Sequence, residues 1–485
     1  MAGWMRIATR IASLASLGFV LASCANRDDA QIALQEADRA MGGATAKTLR
    51  YTAAGTGWGF GQAWRPDMPW PRANVVSYTR VLDFEHDASR EEQVRSRAEP
   101  TGGTALPLSG EQRTVAVWRE GLAWNIAGNA ASASPRDALS RAHDYWITPH
   151  AVIKAALKNP STMRTDGSHR IVSFTMPGVL KASAWIGAGG LVERVDSVQS
   201  NPVLGDMLTV TTYESYRDVG GVKFPMRIRQ AMGGHPVLDI IVADVQVNAA
   251  PPIDVPADVR SLQERVVSER AGPGVWFLAG GSHNSVLIEM ADHVILVESP
   301  LYDGRALAVL DEVAKLVPGK PVRYVINSHH HFDHSGGLRT AASTGATLVT
   351  SELARRWWEE TLANPNTITP DAFARTGLRA KVIGVDGQRT LNDGLRTVHV
   401  IEIQDSVHSQ GFLAVWLPTE RILIEADAYT PAPPNAPPPA TPNANNVNLV
   451  ANIERLQINP DRILPLHGRM ANASELYAAV GRTKP

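Results

Sequence analysis

The chain has 485 residues, of which 44% are hydrophobic and 20% are charged, so it is long enough for several domains and has a globular composition. Its formal net charge of −1 gives no electrostatic reason to expect a nucleic acid or an acidic membrane surface as a partner. Cys24 is the only cysteine, which excludes a disulfide within one chain and a zinc site built from thiolates.

The first residues have the layout of a secretory signal. Arg6 and Arg10 precede the apolar run IASLASLGFVLAS, which is too short to span a membrane comfortably. The stretch LASC, ending at Cys24, resembles the lipobox of bacterial lipoproteins. This resemblance implies that residues 1–23 are removed and that lipidated Cys24 anchors an exported protein to a membrane, facing the periplasm. A plain signal peptide with a soluble periplasmic product, and an uncleaved anchor, remain alternatives.

Residues 24–265 have the pattern of an antiparallel β-rich α+β domain. Short extended runs such as RTVAVWREGLAWNIAG (113–128) alternate with turn residues, and the glycine-containing turns GAGG (187–190) and GG (220–221) predict hairpins. A helical stretch interrupts the strands at 135–159. We therefore expect an accessory domain built mainly from one antiparallel sheet.

Two glycine-containing turns of this region suggest a more specific relationship. The segments WIGAGGLVERV and YRDVGGVKFPMRI resemble the open, curved sheets of periplasmic lipoprotein-carrier domains. The resemblance implies a concave face that holds acyl chains. An unrelated β-rich accessory domain is the alternative.

From about residue 271 the pattern changes to alternating strands and helices. The runs SVLIEM and HVILVESP predict paired strands, RALAVLDEVAKLV predicts a helix, and PVRYVINS predicts a buried strand. This alternation predicts an α/β domain over residues 266–485.

The predicted strand at 321–328 runs into the segment SHHHFDHSGG, which carries His329, His331, Asp333 and His334. Loops that follow strands bring side chains to a ligand without disturbing the core. Imidazole and carboxylate groups together suit zinc and similar first-row metals. The alternating spacing lets the first two of these side chains face one metal and the last two face a second.

The motif is the signature of the metallo-β-lactamase superfamily, and three later segments resemble its other ligand positions. DSVHSQGFLAVWLP supplies His408, RILIEADAYTP supplies Asp427 and RILPLHGRM supplies His467. The resemblance covers about residues 271–485 and implies a four-layer αββα sandwich with the site at one edge. It implies two metals that Asp427 bridges. The first metal would be bound by His329, His331 and His408, and the second metal by Asp333, His334 and His467.

The resemblance also implies a chemistry. Two divalent ions, Zn²⁺ or alternatively Fe or Mn, would share a water, lower its pKa and give a bridging hydroxide near neutral pH. Asp333 would orient this nucleophile or carry its proton. Zinc β-lactamases of the family have cysteine or serine in place of Asp427, so we expect hydrolysis of ester, lactone or thioester bonds in a small-molecule substrate in the cell envelope. β-Lactamase or phosphodiesterase activity, or a carrier of a hydrophobic ligand with the metal domain as a binding module, are the alternatives.

Other residues near the motif have weaker assignments. Glu298 stands where many relatives have an aspartate that hydrogen-bonds a metal ligand, and a plain strand-end residue is its alternative. His283 and Asn284 are expected near the metals without binding them. Related lactonases have a substrate-binding tyrosine shortly after the aspartate that corresponds to Asp427. Tyr429 follows Asp427 at an offset that differs by one residue, and ordinary packing is the alternative role for it. The segments 430–446 and 357–370 are candidate walls of a substrate groove. A surface linker is the alternative for the first segment, and core packing is the alternative for the two tryptophans of the second.

Overall fold

The computed structural model describes residues 27–98, 110–434, 436–437 and 439–485. The predicted signal peptide, residues 1–23, and the predicted lipidation site, Cys24, lie outside the described residues. Among the helices of the described residues, none is both long enough and apolar enough to cross a membrane.

Thirteen strands of the described N-terminal residues form one antiparallel sheet. In chain order they are β1 (Thr48–Trp58), β2 (Arg72–Asp83), β3 (Ala88–Arg97), β4 (Gln112–Arg119), β5 (Leu122–Ala127), β6 (Ala130–Ala133), β7 (Ser161–Asp166), β8 (His169–Met176), β9 (Leu180–Ile186), β10 (Val192–Asn201), β11 (Gly205–Glu214), β14 (Arg227–Met232) and β15 (His235–Val247). A separate hairpin consists of β12 (Arg217–Val219) and β13 (Val222–Phe224). Strand β1 pairs with β15, so the first and last strands of the sheet in sequence lie side by side at its centre.

Three helices pack on this sheet and share its main core. They are α1 (Arg27–Ala40), α2 (Ala138–Trp146) and α3 (Pro149–Lys158), with a 3₁₀ turn at Pro135–Asp137 before α2. The helical stretch expected at 135–159 is thus divided, because Pro149 lacks a backbone N–H and starts a new helix. The glycine turns expected at 187–190 and 220–221 are confirmed, joining β9 to β10 and β12 to β13.

The described C-terminal residues contain two further sheets. The seven-stranded sheet comprises β16 (Val267–Gly272), β17 (Val275–Ala279), β18 (Ser285–Glu289), β19 (Val294–Val297), β20 (Val322–Ile326), β21 (Thr347–Ser351) and β22 (Lys381–Val385). The six-stranded sheet comprises β23 (Gln388–Asn392), β24 (Thr397–Glu402), β25 (Leu413–Leu417), β26 (Ile422–Glu425), β27 (Arg462–Pro465) and β28 (Ala471–Asn472). Strands β19 to β22 pair in parallel, as do β26 and β27.

The remaining helices of the described residues are α4 (Ala257–Arg260), α5 (Asp303–Leu316), α6 (Phe332–Ser335), α7 (Leu338–Ala342), α8 (Glu352–Leu362), α9 (Ala444–Arg455) and α10 (Ala473–Ala479). Buried side chains of the two C-terminal sheets form one shared cluster, which α9 and α10 join. A second cluster joins the seven-stranded sheet to α5, α7 and α8. The α/β character expected for this half and the antiparallel β-rich character expected for the first half are both present, and the exact boundary at 265/266 stays a prediction.

Candidate metal centre

The strand order brings the predicted ligands to one edge of the C-terminal half. The loop with three consecutive histidines follows β20, Asp427 follows β26 by two residues, and His467 follows β27 by two residues. Strands β26 and β27 are parallel, so their carboxyl ends meet at the same edge. His408 lies in the loop before β25, which runs antiparallel to β26 and therefore starts at that edge.

Four of these side chains form a first group, in which three imidazole nitrogens converge. His331 Nδ1 lies 2.8 Å from His329 Nε2 and 3.0 Å from His408 Nε2. His408 Nε2 lies 3.1 Å from His329 Nε2. Asp427 Oδ2 completes the group at 3.3 Å from His329 Nε2 and 3.2 Å from His408 Nε2.

The second group is next to the first and contains Asp333, His334, His467 and His283. His334 Nε2 and His467 Nε2 lie 3.1 Å apart. Asp427 reaches this group as well, with Oδ2 at 2.8 Å from His334 Nε2 and Oδ1 at 3.0 Å from His467 Nε2. All seven predicted side chains are therefore brought together, and Asp427 stands between the two groups.

The donor atoms fit divalent metals better than they fit one another. Three imidazole nitrogens about 3 Å apart cannot all be joined by hydrogen bonds, whereas each can direct a lone pair at a cation about 2.0–2.1 Å away. Asp427 Oδ2 is buried within 3.3 Å of three imidazole nitrogens and has no hydrogen-bond partner of acceptable geometry among the described residues. An oxygen in this position calls for a cation.

The protonation states of the two groups point the same way. Burial lowers the pKa values of His329 and His331 well below the usual range, so both rings are neutral, the form that binds a metal. Burial alone would also lower the pKa of His334, but the charge of Asp427, whose Oδ2 lies 2.8 Å from Nε2, and the hydrogen bond to Glu298 raise it. The surroundings of His334 thus favour a positive charge at this point.

Comparison with known proteins identifies the segment that carries both groups. The family model of the metallo-beta-lactamase superfamily matches residues 278–467, a range that contains every side chain of the two groups. Over this segment the chain is similar to the metallo-beta-lactamase superfamily. The comparison with curated proteins found no match.

Solved structures similar to the chain include a metallo-beta-lactamase from Pontibacter korlensis. It is 17% identical, with 45% of this chain and 98% of that chain covered and a TM-score of 0.35. The DIM-1 metallo-beta-lactamase exposed to ceftazidime is 14% identical, with 46% of this chain and 97% of that chain covered and a TM-score of 0.34.

Glu298 makes the hydrogen bond to a candidate ligand that the resemblance implies. Its Oε2 accepts a hydrogen bond from His334 Nδ1 at 2.9 Å and another from Ser328 Oγ at 2.6 Å, and its Oε1 accepts from Asn327 Nδ2 at 3.0 Å. Ser328 Oγ in turn lies 2.9 Å from His329 Nδ1. Glu298 is fully buried and has a φ of 67°, a strained conformation that this network holds in place.

His283 is the eighth side chain of the candidate metal centre. It was expected near the metals but outside the ligand set, and the structure places its Nε2 at 3.2 Å from Asp333 Oδ2, within the second group. Its ring centroid lies 4.1 Å from that of His467. Burial lowers the pKa of His283 to about 4, so the ring is neutral. A neutral ring can either donate to Asp333 or bind a metal through Nε2.

Asn284 fixes the loop that carries His467. Its side chain donates to Pro465 O at 3.2 Å and to Gly468 O at 2.8 Å, and its backbone N donates to Leu466 O at 2.8 Å. Asn284 therefore acts on the site through backbone carbonyls on both sides of His467. This agrees with its expected place near the metals.

The N-terminal half also reaches the candidate metal centre, through a segment that sequence reasoning missed. We call residues 59–71, which connect β1 to β2, the strap. Gln62 Nε2 donates to Asp333 Oδ1 at 2.8 Å, and Ala63 O accepts from His331 Nε2 at 3.0 Å and from His330 Nε2 at 2.8 Å. With Nε2 of His331 used in this way, its Nδ1 is left to face the first group. Nothing in the sequence connects the strap to the motif, because the two lie more than 260 positions apart.

Aromatic packing fixes the strap to the motif. The rings of Phe60 and Trp70 lie 5.2 Å and 5.5 Å from that of Phe332, which is inside the motif. Trp357 stacks on Phe332 as well, at 6.5 Å. The side chain of Trp358 is completely buried in the core between the seven-stranded sheet and its helices, in agreement with the core-packing alternative.

Tyr429 is buried, whereas the described part of the segment that follows it is mostly exposed. Tyr429 is 3% exposed and belongs to the core between the two C-terminal sheets, in agreement with the packing alternative. The described part of the segment 430–446 is mostly exposed and begins beside Gly468, the neighbour of His467. Its start is therefore next to the site, and its role as a groove wall stays a prediction.

Proposed function

We propose that residues 266–485 form a four-layer αββα hydrolase domain that binds two divalent metal ions. The observation that carries this proposal is the position of Asp427, whose two carboxylate oxygens lie within 3.3 Å of nitrogens from both groups. A carboxylate placed in this way suits a bridge between two cations a few ångströms apart. The superfamily match of residues 278–467 supports a metal-dependent hydrolase.

The ligand assignment follows the two groups. His329, His331, His408 and Asp427 would hold the first metal, and Asp427, Asp333, His334 and His467 would hold the second, with Zn²⁺ favoured by the nitrogen-rich donor set. A metal pair supplies a hydroxide nucleophile at neutral pH and neutralises charge that develops on the substrate.

The protein's own groups orient the reaction. Asp333 is held by Gln62 at one oxygen and by His283 at the other, so its carboxylate has a fixed direction. Burial alone would raise the pKa of Asp333, but the hydrogen bond from His283 and the neighbouring imidazoles keep it well below the usual range. Asp333 is therefore ionised and suited to align a nucleophile or accept its proton. Glu298 fixes the ring orientation of His334 through Nδ1.

We propose ester, lactone or thioester bonds of a small molecule as the substrate class. The aspartate at position 427, where zinc β-lactamases carry cysteine or serine, supports this choice. Hydrolysis of β-lactams or phosphodiesters is the second candidate. If the metal domain only bound its ligand, the N-terminal half would be the functional element, as a carrier.

The test combines metal analysis with turnover. Purified protein should contain two equivalents of a divalent first-row metal by plasma mass spectrometry and should hydrolyse at least one member of a panel of aryl ester, lactone, thioester, phosphodiester and β-lactam substrates. His408→Ala should lose one metal equivalent and turnover. His399→Ala, on β24 outside both groups, should keep both. Absence of bound metal, or equal behaviour of the two variants, would contradict the proposal.

We also propose that the protein is exported and anchored in a membrane by lipid on Cys24, facing the periplasm. The LASC stretch after an apolar run supports this proposal. In cells labelled with radioactive palmitate, the wild-type protein should carry label and sediment with membranes. Cys24→Ser should carry no label. An unlabelled, soluble periplasmic wild-type protein would favour the plain signal peptide.

A further inference from the structure

The N-terminal half contains a cavity of about 240 Å³, separate from the metal centre. It lies between strands β1–β3, β11, β14 and β15 of the large sheet and the segment that joins α2 to α3. Much of its wall is aromatic or aliphatic: Tyr51, Tyr213, Phe224, Ile228, Met232 and Leu238. Small-molecule sites typically combine such walls with a few placed polar groups.

Arg95, on β3, lines this cavity and has an unused hydrogen-bonding edge. Its Nε and Nη2 atoms are buried and have no hydrogen-bond partner among the described residues. These two N–H groups lie on one side of the guanidinium and match the two oxygens of a carboxylate. The absence of a side chain at Gly57 leaves room for the guanidinium of Arg95, because a Cβ at position 57 would lie 3.3 Å from Nη2 of Arg95.

The other charged groups of the cavity already face one another. Glu91 accepts a hydrogen bond from Tyr78 Oη at 2.5 Å and lies 3.7 Å from Arg80 Nη1, and Gln93 also donates to it. Asp144 lies 3.5 Å from His143 Nδ1 and adds a negative charge at the same cavity. Arg80 and Arg95 balance these two acids in charge, so it is the unpartnered Nε–Nη2 edge of Arg95 that calls for an acceptor.

We propose that this cavity binds a monocarboxylate with an apolar chain, its carboxylate paired with the Nε–Nη2 edge of Arg95 and its chain packed among the aromatic and aliphatic side chains. A buried guanidinium edge without acceptors is costly, and a carboxylate removes that cost. The two acids of the cavity disfavour a doubly charged head group such as a phosphate monoester. The cavity is distinct from the candidate metal centre but adjacent to it. Phe60 lines the cavity and also packs on Phe332, which is inside the SHHHFDHSGG motif.

The proposal is tested by calorimetric titration of the full-length protein with octanoate, 1-octanol and acetate. Octanoate should bind with one site, at least about tenfold tighter than 1-octanol, because charge-assisted hydrogen bonds to arginine add to the apolar contacts. Acetate, which lacks the chain, should show no measurable binding. Octanoate that binds no tighter than 1-octanol would overturn the proposal.

Three variants locate the binding. Arg95→Gln should weaken octanoate at least about tenfold and leave 1-octanol unchanged, and Arg95→Lys should recover only part of the loss because it lacks the paired edge. Arg90→Gln is the matched control, since Arg90 pairs with Glu92 on the opposite face of the same strand. Near-ultraviolet circular dichroism verifies that each variant is folded. Octanoate affinity unchanged in both Arg95 variants would place the ligand elsewhere, for example at the metals, and refute the site.

Discussion

Gln62 and Asp333 are 271 positions apart in the sequence and share a hydrogen bond of 2.8 Å. The donor belongs to the strap of the N-terminal half, and the acceptor belongs to the motif of the candidate metal centre. One oxygen of Asp333 is therefore positioned by a different part of the chain from the one that supplies the ligands. The N-terminal half thus contributes to the geometry of the site directly.

The first prediction concerns this contact. Gln62→Ala should lower kcat/KM about 10- to 100-fold with the folded state intact, because it removes a hydrogen bond to an ionised group that orients the reaction. Gln62→Glu should lower it further, since a second carboxylate would face Asp333. Steady-state kinetics on the best substrate of the panel measures both. Gln35→Ala, at an exposed position of α1, is the control and should retain full activity.

A second prediction concerns the backbone of the strap. Gly61 has a φ of 77°, and a Cβ on it would lie 2.6 Å from Phe332 Cγ. Gly121 has a φ of 76°, and a Cβ added there would meet no atom within 4 Å, so it offers the same backbone strain without the clash. Gly121→Ala should cost about 1–2 kcal/mol of unfolding free energy from backbone strain alone.

Gly61→Ala should cost about 1–3 kcal/mol more than Gly121→Ala, because the extra methyl group overpacks the contact between the strap and Phe332. It should also reduce turnover, since Gly61 O accepts a hydrogen bond from Phe332 N at 3.2 Å, in the motif itself. Urea unfolding and kinetics measure the two effects. Equal losses of stability in the two variants would mean that the strap moves away at no cost.

The third prediction concerns the carboxylate beneath the ligands. Glu298→Ala leaves the buried Nδ1 of His334 without its acceptor, so the affinity for the second metal should fall about 10- to 100-fold, as is usual when a ligand loses its supporting partner. Chelator competition followed by metal analysis measures the change. Glu359→Ala, which removes an exposed ion pair with Arg355 on α8, should leave metal affinity unchanged. Two tightly held metals in Glu298→Ala would contradict the supporting role.

A fourth prediction concerns acid stability, and it involves a residue outside the candidate metal centre. His150 is 2% exposed on α3, with Nε2 at 3.1 Å from Met41 O, and burial lowers its pKa from 6.5 to about 4. Between these values the unfolded chain binds a proton that the folded chain does not. The stability that comes from neutral His150 is therefore complete above pH 6.5 and is lost as the pH falls toward 4.

The loss from this one group amounts to about 3 kcal/mol. His150→Gln removes the titrating ring, so the difference in unfolding free energy between wild type and variant should shrink by about that amount from pH 7 to pH 4. Urea titrations at several pH values measure this difference. Parallel stability curves for the two proteins would show that His150 does not carry the effect.

The local parts of the site were predictable from the sequence, whereas the contacts made by tertiary packing were not. Four of the candidate ligands lie in one short motif after a predicted strand, and the family resemblance pointed to His408, Asp427, His467 and Glu298, so these positions could be anticipated. The strap could not be, because Gln62 and Ala63 are ordinary residues in a connection between two strands. His283 was expected close by, but the seven positions of the motif left no reason to add an eighth side chain.

The same distinction applies to the fold. The glycine hairpins and the α/β alternation depend on local residue patterns, and they are present in the structure. Helix α1 was not predicted, because its buried face consists mainly of Ala30, Ala33, Leu34 and Ala37, which contrast weakly with their surroundings. The order of the thirteen described strands was also beyond local patterns, since the central pairing of β1 with β15 joins residues about 200 positions apart.

The strap limits how the C-terminal domain can be separated from the rest of the chain. A fragment that starts at residue 266 would carry all the histidines and aspartates of the motif, yet His331 would lose the carbonyl that selects which of its nitrogens faces inward. Phe332 would lose the two rings of the strap that pack on it. Such a fragment would contain every candidate ligand but would lack the contacts that orient Asp333, His331 and Phe332. A graft of this domain onto another scaffold therefore has to include residues 59–71.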